Sequence, residues 1–417
     1  MAESKPPVIS LRPLREKQSA QTSRRTVRQI ETSLKKFGCV CVPVSDLADS
    51  HDQDGERLLR HCYSRAESFF TMPEALKLAY TEENAARQGY GGSCYTPVGK
   101  EPAYQEGEKQ HVESFSCTRP LDESLCSHLP RGPELHKSLF PDSQVPGFGA
   151  AYSSLWEALR ERVALPMMDA LEQLLCLPRD FLSLKSAETS SLNMSLLRTL
   201  RYPTRDSRQQ SVNPQPENNP KRRRSARNRV SSAPIDVGIS EHTDFEVFTI
   251  MHQDSAGLHL HTPSRAPSPH WFQLPFRYDT LTVILGDMAE LWTSGWLEAT
   301  RHKVESSASG QEPRRSFVLF QAHDDLVRVH PLGLTHFAAR DEGGTKSRVE
   351  DFQDKLIHRE RRGHEGFGER GSEGLDSFAE WVQHRPKNAR KKYPPTTQGA
   401  WVRKQEFQAN AALKEFA

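Results

Sequence analysis

The sequence lacks the features that would place it at once among membrane or secreted proteins. No run of about 18 apolar residues occurs, and the N-terminus, Met-Ala-Glu-Ser-Lys-Pro-Pro, has no apolar signal region. The seven cysteines are odd in number and include no Cys-x-x-Cys pair, which argues against a zinc ribbon and against a disulfide framework. We therefore expect a soluble protein of the cytoplasm, or alternatively of the nucleus, with reduced thiols and no membrane contact.

Net charge and hydrophobicity are also low. The formal net charge is +2, so neither nucleic acid nor an acidic membrane is required as a partner. Only 35% of the 417 residues are hydrophobic, which is low for a compact globule and predicts solvated segments beside an ordinary core. Residues 326–417 are highly charged and contain Gly and Arg clusters. We expect them to form a loosely ordered C-terminal extension.

Residues 204–233 form a second segment of unusual composition, rich in Asn, Gln, Pro and Ser around the basic run 221–229. Such a segment cannot bury enough apolar surface to fold alone, so we predict a disordered insertion. The basic run is typical of a nuclear-localisation signal or of a contact with nucleic acid. A solvated loop without any partner explains the same composition equally well.

Residues 1–200 are predicted to form an N-terminal region of helices and strands. Apolar residues recur at helical spacing in residues 22–37, 55–73 and 152–177. Gly38 should end the first of these helices, and Pro166 should kink the third or divide it in two. Apolar runs bounded by turn residues predict strands at residues 7–11, 39–44 and 192–202. The Gly- and Tyr-rich residues 85–110 are predicted to be a loop.

From residue 235 to residue 325 the pattern changes to short β-rich runs separated by turn residues. These runs are residues 245–252, 257–261, 271–274, 280–285, 301–304 and 316–322. Residues 291–295 also have the pattern of a strand followed by a turn. Many short strands at even spacing favour a jelly-roll-like sandwich or barrel. The predicted fold class is therefore α+β, mainly β with flanking helices.

His242 and Asp244 stand two positions apart at the start of this β-rich region. On an extended strand, residues i and i+2 point to the same face, so an imidazole and a carboxylate would converge on one point. One more histidine from a neighbouring strand would complete the facial 2-His-1-carboxylate site of non-haem Fe(II) oxygenases, which leaves coordination positions open. His302 is the candidate for that third ligand.

A His-x-Asp pair is weak evidence by itself, because chance produces such pairs freely. The chain has two further matches, at residues 252–254 and 323–325. A random match is far more often a polar pair on the surface than a metal site. The discrimination comes from the sequence that follows His242, where the buried-strand pattern 280–285 ends at Gly286-Asp287 and leads on to His302.

Arg314 and Ser316 form a second pair at positions i and i+2 and lead into the apolar run 317–320. A planar, permanently charged guanidinium beside a hydroxyl is suited to binding a carboxylate at two points. Arg-x-Ser also occurs at residues 205–207, 223–225, 229–231 and 370–372. Those segments are polar and have no strand behind them, so only Arg314-x-Ser316 fits the role. The competing interpretation of Arg314 is a solvated arginine at a strand edge.

The combined motifs resemble those of the iron- and 2-oxoglutarate-dependent dioxygenases of the isopenicillin N synthase-like superfamily. The motifs that carry the resemblance are His242-x-Asp244, Gly286-Asp287, His302 and Arg314-x-Ser316. The resemblance covers about residues 6–325, interrupted by residues 204–233, and includes Tyr202 before Pro203. It departs from the family pattern at Leu200, where Asn is common, and in the insertion and the long C-terminal segment.

The resemblance implies a double-stranded β-helix core over residues 235–325, with Fe(II) held by His242, Asp244 and His302. It also implies that Arg314 and Ser316, with a contact from Tyr202, hold a carboxylate of the cosubstrate 2-oxoglutarate. No catalytic side chain beyond the metal ligands is implied. The expected reaction uses O2 to hydroxylate or desaturate a small organic molecule, with release of succinate and CO2.

Two other functions are compatible with the sequence. One is a 2-oxoglutarate-independent oxidase or cyclase of the same superfamily, in which Arg314 would hold a carboxylate of the substrate. The other is a non-catalytic scaffold that retains the fold and uses its basic segments for partners. Oxidation of a protein or nucleic acid is a further variant that depends on the basic run 221–229. The substrate itself is not readable, because a fold does not specify a reaction partner.

Overall fold

A computed structural model describes residues 5–48, 54–101, 108–119, 137–177, 182, 195–204, 235–305 except 265 and 294, and 312–322. Its α-helices are α1 (Arg12–Arg15), α2 (Ala20–Phe37), α3 (Gly55–Phe70), α4 (Glu74–Lys77), α5 (Glu82–Arg87), α6 (Phe148–Leu159), α7 (Leu165–Leu175) and α8 (Asp287–Trp292). Short 3-10 helices lie at Val44–Leu47 and Leu78–Tyr80. Within this described part, no helix combines the length and apolar character that crossing a bilayer requires.

Helix α2 shows how local sequence sets the element bounds. The Ser19 side chain accepts a hydrogen bond from the backbone N–H of Thr22 and caps the first turn. Gly38 ends the helix with φ 74°, a left-handed conformation that glycine adopts without steric cost. The predicted stop at Gly38 is therefore confirmed. Pro166 lies in the first turn of α7, directly after a π-helical turn at Arg160–Ala164, so the predicted division of the long helix is confirmed as well.

The strands are β1 (Cys39–Pro43), β2 (Ser93–Thr96), β3 (Glu108–Gln110), β4 (Glu113–Cys117), β5 (Leu196–Tyr202), β6 (Ile235–Val237), β7 (Ile239–His242), β8 (Phe248–Gln253), β9 (Leu258–His261), β10 (Trp271–Gln273), β11 (Thr280–Leu285), β12 (His302–Val304) and β13 (Arg314–Gln321). A seven-stranded sheet has the order β1-β11-β8-β13-β5-β4-β2, and a four-stranded sheet has the order β10-β9-β12-β7. All pairings in these two sheets are antiparallel, whereas β3 pairs with β6 in parallel.

The seven-stranded sheet separates two hydrophobic clusters. On its outer face, residues such as Phe115 and Phe317 pack under helices α3, α6 and α7. On its inner face, Leu200, Met251 and Val318 meet residues of the four-stranded sheet in a second cluster. Alternation along each strand assigns successive side chains to the two faces. The space between the two sheets is called the interior below, and it is where the predicted site residues lie.

This arrangement confirms the predicted fold class, a mainly β core of the double-stranded β-helix type with an N-terminal helical region. The segments 1–200 and 235–325 both contribute strands to the seven-stranded sheet. Their boundaries as domains stay a prediction. The proposed insertion 204–233 lies outside the described residues apart from Thr204, as does the proposed C-terminal extension 326–417.

Four secondary-structure predictions were wrong in detail. Residues 7–11 form a single bridge between Val8 and Cys41 and no strand of their own. Residues 85–110 are not only a loop, because they include β2 and β3, and buried Tyr95 fixes β2 against β4. The strand and turn predicted at residues 291–295 overlap the end of helix α8, which forms because Met288, Ala289 and Trp292 are buried on one helical face. The strand predicted at residues 245–252 begins only at Phe248.

Candidate metal and cosubstrate site

The pairing of β7 with β12 brings the two predicted histidine ligands together. His242 is the last residue of β7, His302 is the first of β12, and the two are direct partners in the antiparallel register. Their ring centroids are 4.1 Å apart. Nδ1 of His242 lies 2.8 Å from the carbonyl oxygen of Ser240, and Nδ1 of His302 lies 3.0 Å from that of Thr300. A carbonyl oxygen only accepts, so Nδ1 carries the proton in each ring and Nε2 points toward the interior.

Asp244 joins the two histidines from a loop and not from a strand. Its Oδ1 lies 3.5 Å from Nε2 of His242 and 3.7 Å from Nε2 of His302. The prediction that these residues would meet is correct, but the reason given for it was wrong. Strand β7 ends at His242, so the i and i+2 rule for strands does not position Asp244. The conformation of the loop that follows β7 positions Asp244.

The turn at Gly286 holds the loop that carries Asp244. The backbone N–H of Asp287 donates to the carbonyl oxygen of Asp244 at 2.8 Å, and that of Gly286 donates to Val247 at 3.0 Å. A Cβ on Gly286 would lie 2.0 Å from the carbonyl oxygen of Glu246, so only glycine permits this approach. The Gly286-Asp287 motif therefore shapes the site without facing it.

The electrostatics of the three residues favour a bound cation. Burial by itself would raise the pKa of Asp244, but His302, His242 and Thr249 together lower it to about 2. Burial, followed by the neighbouring His242, lowers the pKa of His302 to about 4, so its ring is neutral near neutral pH. One ligand atom from each residue lies within 4.8 Å of the others. An anionic carboxylate facing imidazole Nε2 atoms in a buried site is a donor set that fits a divalent metal ion.

Arg314 is the second charged centre of the interior. Its side chain is 2% exposed, and its guanidinium carbon lies 4.8 Å from the centre of the Tyr202 ring. Nη2 donates to Oε1 of Gln253 at 2.8 Å. Within the described residues, Nε and Nη1 have no hydrogen-bond partner. A buried guanidinium with two unpaired nitrogens requires an acceptor, and a carboxylate is the group that matches its planar fork.

The other predicted cosubstrate residues lie around Arg314. Tyr202 is its cross-strand partner, and Ser316 faces the same side of β13. Burial raises the pKa of Tyr202, while Arg314 and hydrogen bonding to Ser316 lower it, and the net effect is a raised pKa. Gly257, with φ 127°, brings the backbone into contact with Arg314, because a Cβ there would lie 3.5 Å from the Cδ of that arginine.

Two residues of the site could not be found by motif reasoning. Gln253 orients Arg314 from the neighbouring strand β8. Thr249, on the same strand, donates to Oδ2 of Asp244 at 2.5 Å. The only signal in the sequence is their spacing, since residues 249, 251 and 253 of an extended strand share one face. Neither residue belongs to a motif that the sequence analysis recognised.

Comparisons with known proteins agree with the predicted family. Residues 201–323 match the model of the 2OG-Fe(II) oxygenase superfamily. A 2-oxoglutarate-dependent dioxygenase of Aspergillus niger, caaD, is 24% identical over 355 residues, which are 85% of this chain and 93% of that protein. Residues 201–323 therefore form a domain of this superfamily. A probable iron/ascorbate oxidoreductase of Dictyostelium discoideum is also 24% identical. That match covers 76% of this chain and 81% of the Dictyostelium protein.

Solved structures show the same fold at lower sequence identity. A full-length Neurospora crassa protein in complex with alpha-KG matches with a TM-score of 0.57 and 16% identity. The match covers 84% of this oxygenase and 96% of the Neurospora protein. The predicted family, the dioxygenase class of enzyme and the dependence on Fe(II) and 2-oxoglutarate are thereby confirmed. These comparisons give no support for a nucleic-acid partner, and the basic run 221–229 lies outside the described residues.

Proposed function

We propose that this oxygenase oxidises a small organic molecule at a C–H bond, by hydroxylation or desaturation, while 2-oxoglutarate is converted to succinate and CO2. Fe(II) would be held by His242, Asp244 and His302. A carboxylate of 2-oxoglutarate would be held by Arg314 and Ser316, with Tyr202 beside them. The observation that carries this proposal is the buried guanidinium of Arg314, whose Nε and Nη1 have no partner among the described residues, in the same interior as the three converging side chains.

Each side chain of the site has a separate role in binding iron or 2-oxoglutarate. When bound, iron and 2-oxoglutarate supply the activation of dioxygen and the oxidising power. Asp244 supplies the negative charge of the metal site, and Thr249 fixes the orientation of its carboxylate. The carbonyl groups of Ser240 and Thr300 fix the tautomers of the two histidines. Arg314 orients the cosubstrate acid, and Gln253 keeps the guanidinium in place.

The interior also excludes water from the reacting groups. His242, Asp244 and His302 are 5–6% exposed. Apolar side chains of both sheets, among them Met251, Val304 and Val318, pack together in the same interior. A dry site strengthens the electrostatic contacts of Asp244 and Arg314 and protects a reactive oxidant from side reactions. Hydrogen abstraction from a bound substrate would take place here.

Anaerobic titration with Fe(II) and 2-oxoglutarate tests the ligand assignment directly. We expect a weak visible charge-transfer absorption when both are present, and its loss in His302→Ala. His259→Ala is the matched control, because His259 lies opposite Lys303 on the adjacent strand β9 and outside the triad. An unchanged absorption band in His302→Ala would contradict the proposed metal site.

Product analysis separates the alternatives within the superfamily. Under the proposed function, succinate forms in step with oxidised product during substrate screening. Product without succinate would identify a 2-oxoglutarate-independent oxidase or cyclase, in which Arg314 holds the substrate. A non-catalytic scaffold would keep its cellular function in the His302→Ala variant. The assembled triad and the two unpaired guanidinium nitrogens of Arg314 within the described residues favour the enzyme over the scaffold.

A further inference from the structure

The interior carries a second polar group that the metal and cosubstrate assignments do not use. It lies at strands β5 and β4 of the seven-stranded sheet. It consists of Arg198, Glu101, Ser114 and Ser116 and is called the polar wall here. Strand register places Arg198 opposite Ser116 on one side and Val318 on the other. Because Val318 belongs to the cluster between the two sheets, the Arg198 side chain belongs to the interior face. Arg198 is 5% exposed.

Glu101 and two serines complete the charged part of the polar wall. Nε of Arg198 donates to Oγ of Ser116 at 3.0 Å, and Nη1 of Arg198 lies 3.6 Å from Oε1 of Glu101. Oγ of Ser114 donates to the same Oε1 at 2.8 Å. The guanidinium carbon of Arg198 also lies 5.8 Å from the centre of the Phe320 ring. Glu101 is 6% exposed, so a cation and an anion are buried side by side.

A buried amide adds an independent observation. Gln110 is 3% exposed, and within the described residues its Nε2 has no hydrogen-bond partner. It precedes Val112 by two positions, and Val112 belongs to the cluster between the sheets, whereas His111 is only half-buried. An unpaired buried amide costs stability unless a ligand or water satisfies it. Gln110 is therefore a buried hydrogen-bond donor that is left unpaired among the described residues.

The polar wall is at a suitable distance from the metal triad to bind the far end of a substrate. Thr249, which bonds Asp244, is opposite Phe320, and Phe320 is opposite Leu196. Arg198 follows Leu196 by two residues on the same face. Two strand spacings and one two-residue step give about 12 Å between the Cα atoms of Thr249 and Arg198. A small molecule with an apolar body spans that distance once the reach of the side chains is subtracted.

We propose that the polar wall recognises an uncharged amide-type group of the substrate, such as a carboxamide, lactam or imide. The inference rests on the proposed function and names its substrate class. Arg198 and Glu101 present a donor and an acceptor side by side, which matches the C=O and N–H of one amide edge. Their charges already compensate each other. A carboxylate or an ammonium group would bring an unpaired charge into a buried site, which is strongly unfavourable.

Binding measurements on the anaerobic Fe(II) and 2-oxoglutarate complex test this inference without turnover. The probes are sets of fragments that share one apolar skeleton, for example phenylacetamide, phenylacetate and phenethylamine, with aliphatic and indole counterparts. Equilibrium dialysis gives the affinity of each. We expect the amides to bind tighter than the matching acids and amines by roughly tenfold or more, the effect of one unsatisfied buried group.

Charge-changing variants make the test specific to the polar wall. Glu101→Gln keeps the shape and leaves Arg198 as an uncompensated cation, so the preference should move from amides to acids. Arg198→Gln leaves Glu101 as an uncompensated anion, so the binding preference should move from amides to amines. Arg201→Gln is the control, because Arg201 is on the same strand but bonds Glu113, away from Arg198. All three variants should still form the charge-transfer complex with Fe(II) and 2-oxoglutarate.

Three outcomes would overturn the inference while leaving the proposed function intact. These are equal binding of acids and amides to the wild type, an unchanged preference in Glu101→Gln, and formation of the charge-transfer complex with no binding of any fragment. The second outcome would indicate an ion pair that serves only the fold. Failure of the wild type to form the complex at all would overturn the proposed function itself and this inference with it.

Discussion

The hydroxyl of Thr249 donates a hydrogen bond of 2.5 Å to Oδ2 of Asp244. Because Oδ1 of the same carboxylate faces both histidines, the threonine determines which oxygen is presented to the metal. We expect Thr249→Val to weaken Fe(II) binding by about 10–100-fold, the usual effect of removing a group that orients a metal ligand. Anaerobic Fe(II) titration measures the change. Thr282→Val, a buried threonine on strand β11, is the control, and equal losses in both variants would contradict the orienting role.

Gly286 has no room for a side chain. Its Cβ would meet the carbonyl oxygen of Glu246 at 2.0 Å, so Gly286→Ala must displace the loop that carries Asp244. We expect a loss of about 3 kcal/mol or more in the free energy of unfolding, together with loss of Fe(II) binding. Gly89→Ala is the control, because Gly89 has φ 82° but nothing within 4 Å of a Cβ. That variant should cost about 1 kcal/mol and leave Fe(II) binding unchanged. Full Fe(II) affinity in Gly286→Ala would contradict this account.

Arg314 and Arg315 are adjacent but serve different faces of strand β13. Arg314 lies in the interior beside Tyr202, whereas Arg315 bonds Asp254 at 2.7 Å and Glu67 at 2.9 Å on the other face. Lysine keeps the charge but loses the planar fork. We expect Arg314→Lys to weaken 2-oxoglutarate binding by roughly tenfold or more, measured by anaerobic titration. Arg315→Lys should leave it unchanged, and the reverse pattern would refute the assignment.

His252 should make stability dependent on pH. It accepts a hydrogen bond from the Tyr63 hydroxyl on Nδ1 at 2.9 Å, and its Nε2–H donates to the carbonyl oxygen of Tyr278 at 2.8 Å. Burial lowers the pKa of His252 below its ordinary value of 6.5. The folded protein therefore binds the proton less readily than the unfolded chain does. The contribution of His252 to the free energy of unfolding is complete above pH 6.5. It is lost as the pH falls through the lowered pKa of the folded state.

Denaturant unfolding between neutral and mildly acidic pH measures this effect. The free energy of unfolding of the wild type should fall more steeply with decreasing pH than that of His252→Gln, which cannot be protonated. Exposed His61 provides the control substitution, His61→Gln, whose pH profile should follow the wild type. Parallel profiles for wild type and His252→Gln would show that the histidine contributes nothing to the pH dependence.

The sequence predicted which three side chains converge better than it predicted the reason for their meeting. Residue type and order indicated His242, Asp244 and His302, but Asp244 reaches the histidines through a loop fixed by Gly286. The conformation of that loop depends on contacts with a turn some forty residues away, which no local pattern encodes. The long amphipathic helices α2 and α3 were predictable because their apolar spacing is itself the signal.

The pairing between distant strands was the main feature that could not be predicted from the sequence. The last two residues of helix α8, Leu291 and Trp292, were assigned to a strand, since so short an apolar run has no decisive period. No sequence pattern singled out Arg198 or Glu101, because nothing local indicates that either residue is buried. Only the register between β5 and β4 places Arg198 beside Ser116 in the interior. Such pairings are set by tertiary contacts.

The position of β13 in the large sheet bears on how the protein is made. This strand, near the end of the described chain, is inserted between β8 and β5 and hydrogen-bonds to both. A nascent chain that has not yet reached Arg314 has no bridge between the β1-β11-β8 half and the β5-β4-β2 half of that sheet. We therefore expect the interior that contains His242, Asp244 and His302 to be completed during synthesis only after β13, the last strand that the structure describes, has joined the sheet. Translation products that end before Arg314 should neither retain iron nor resist proteolysis.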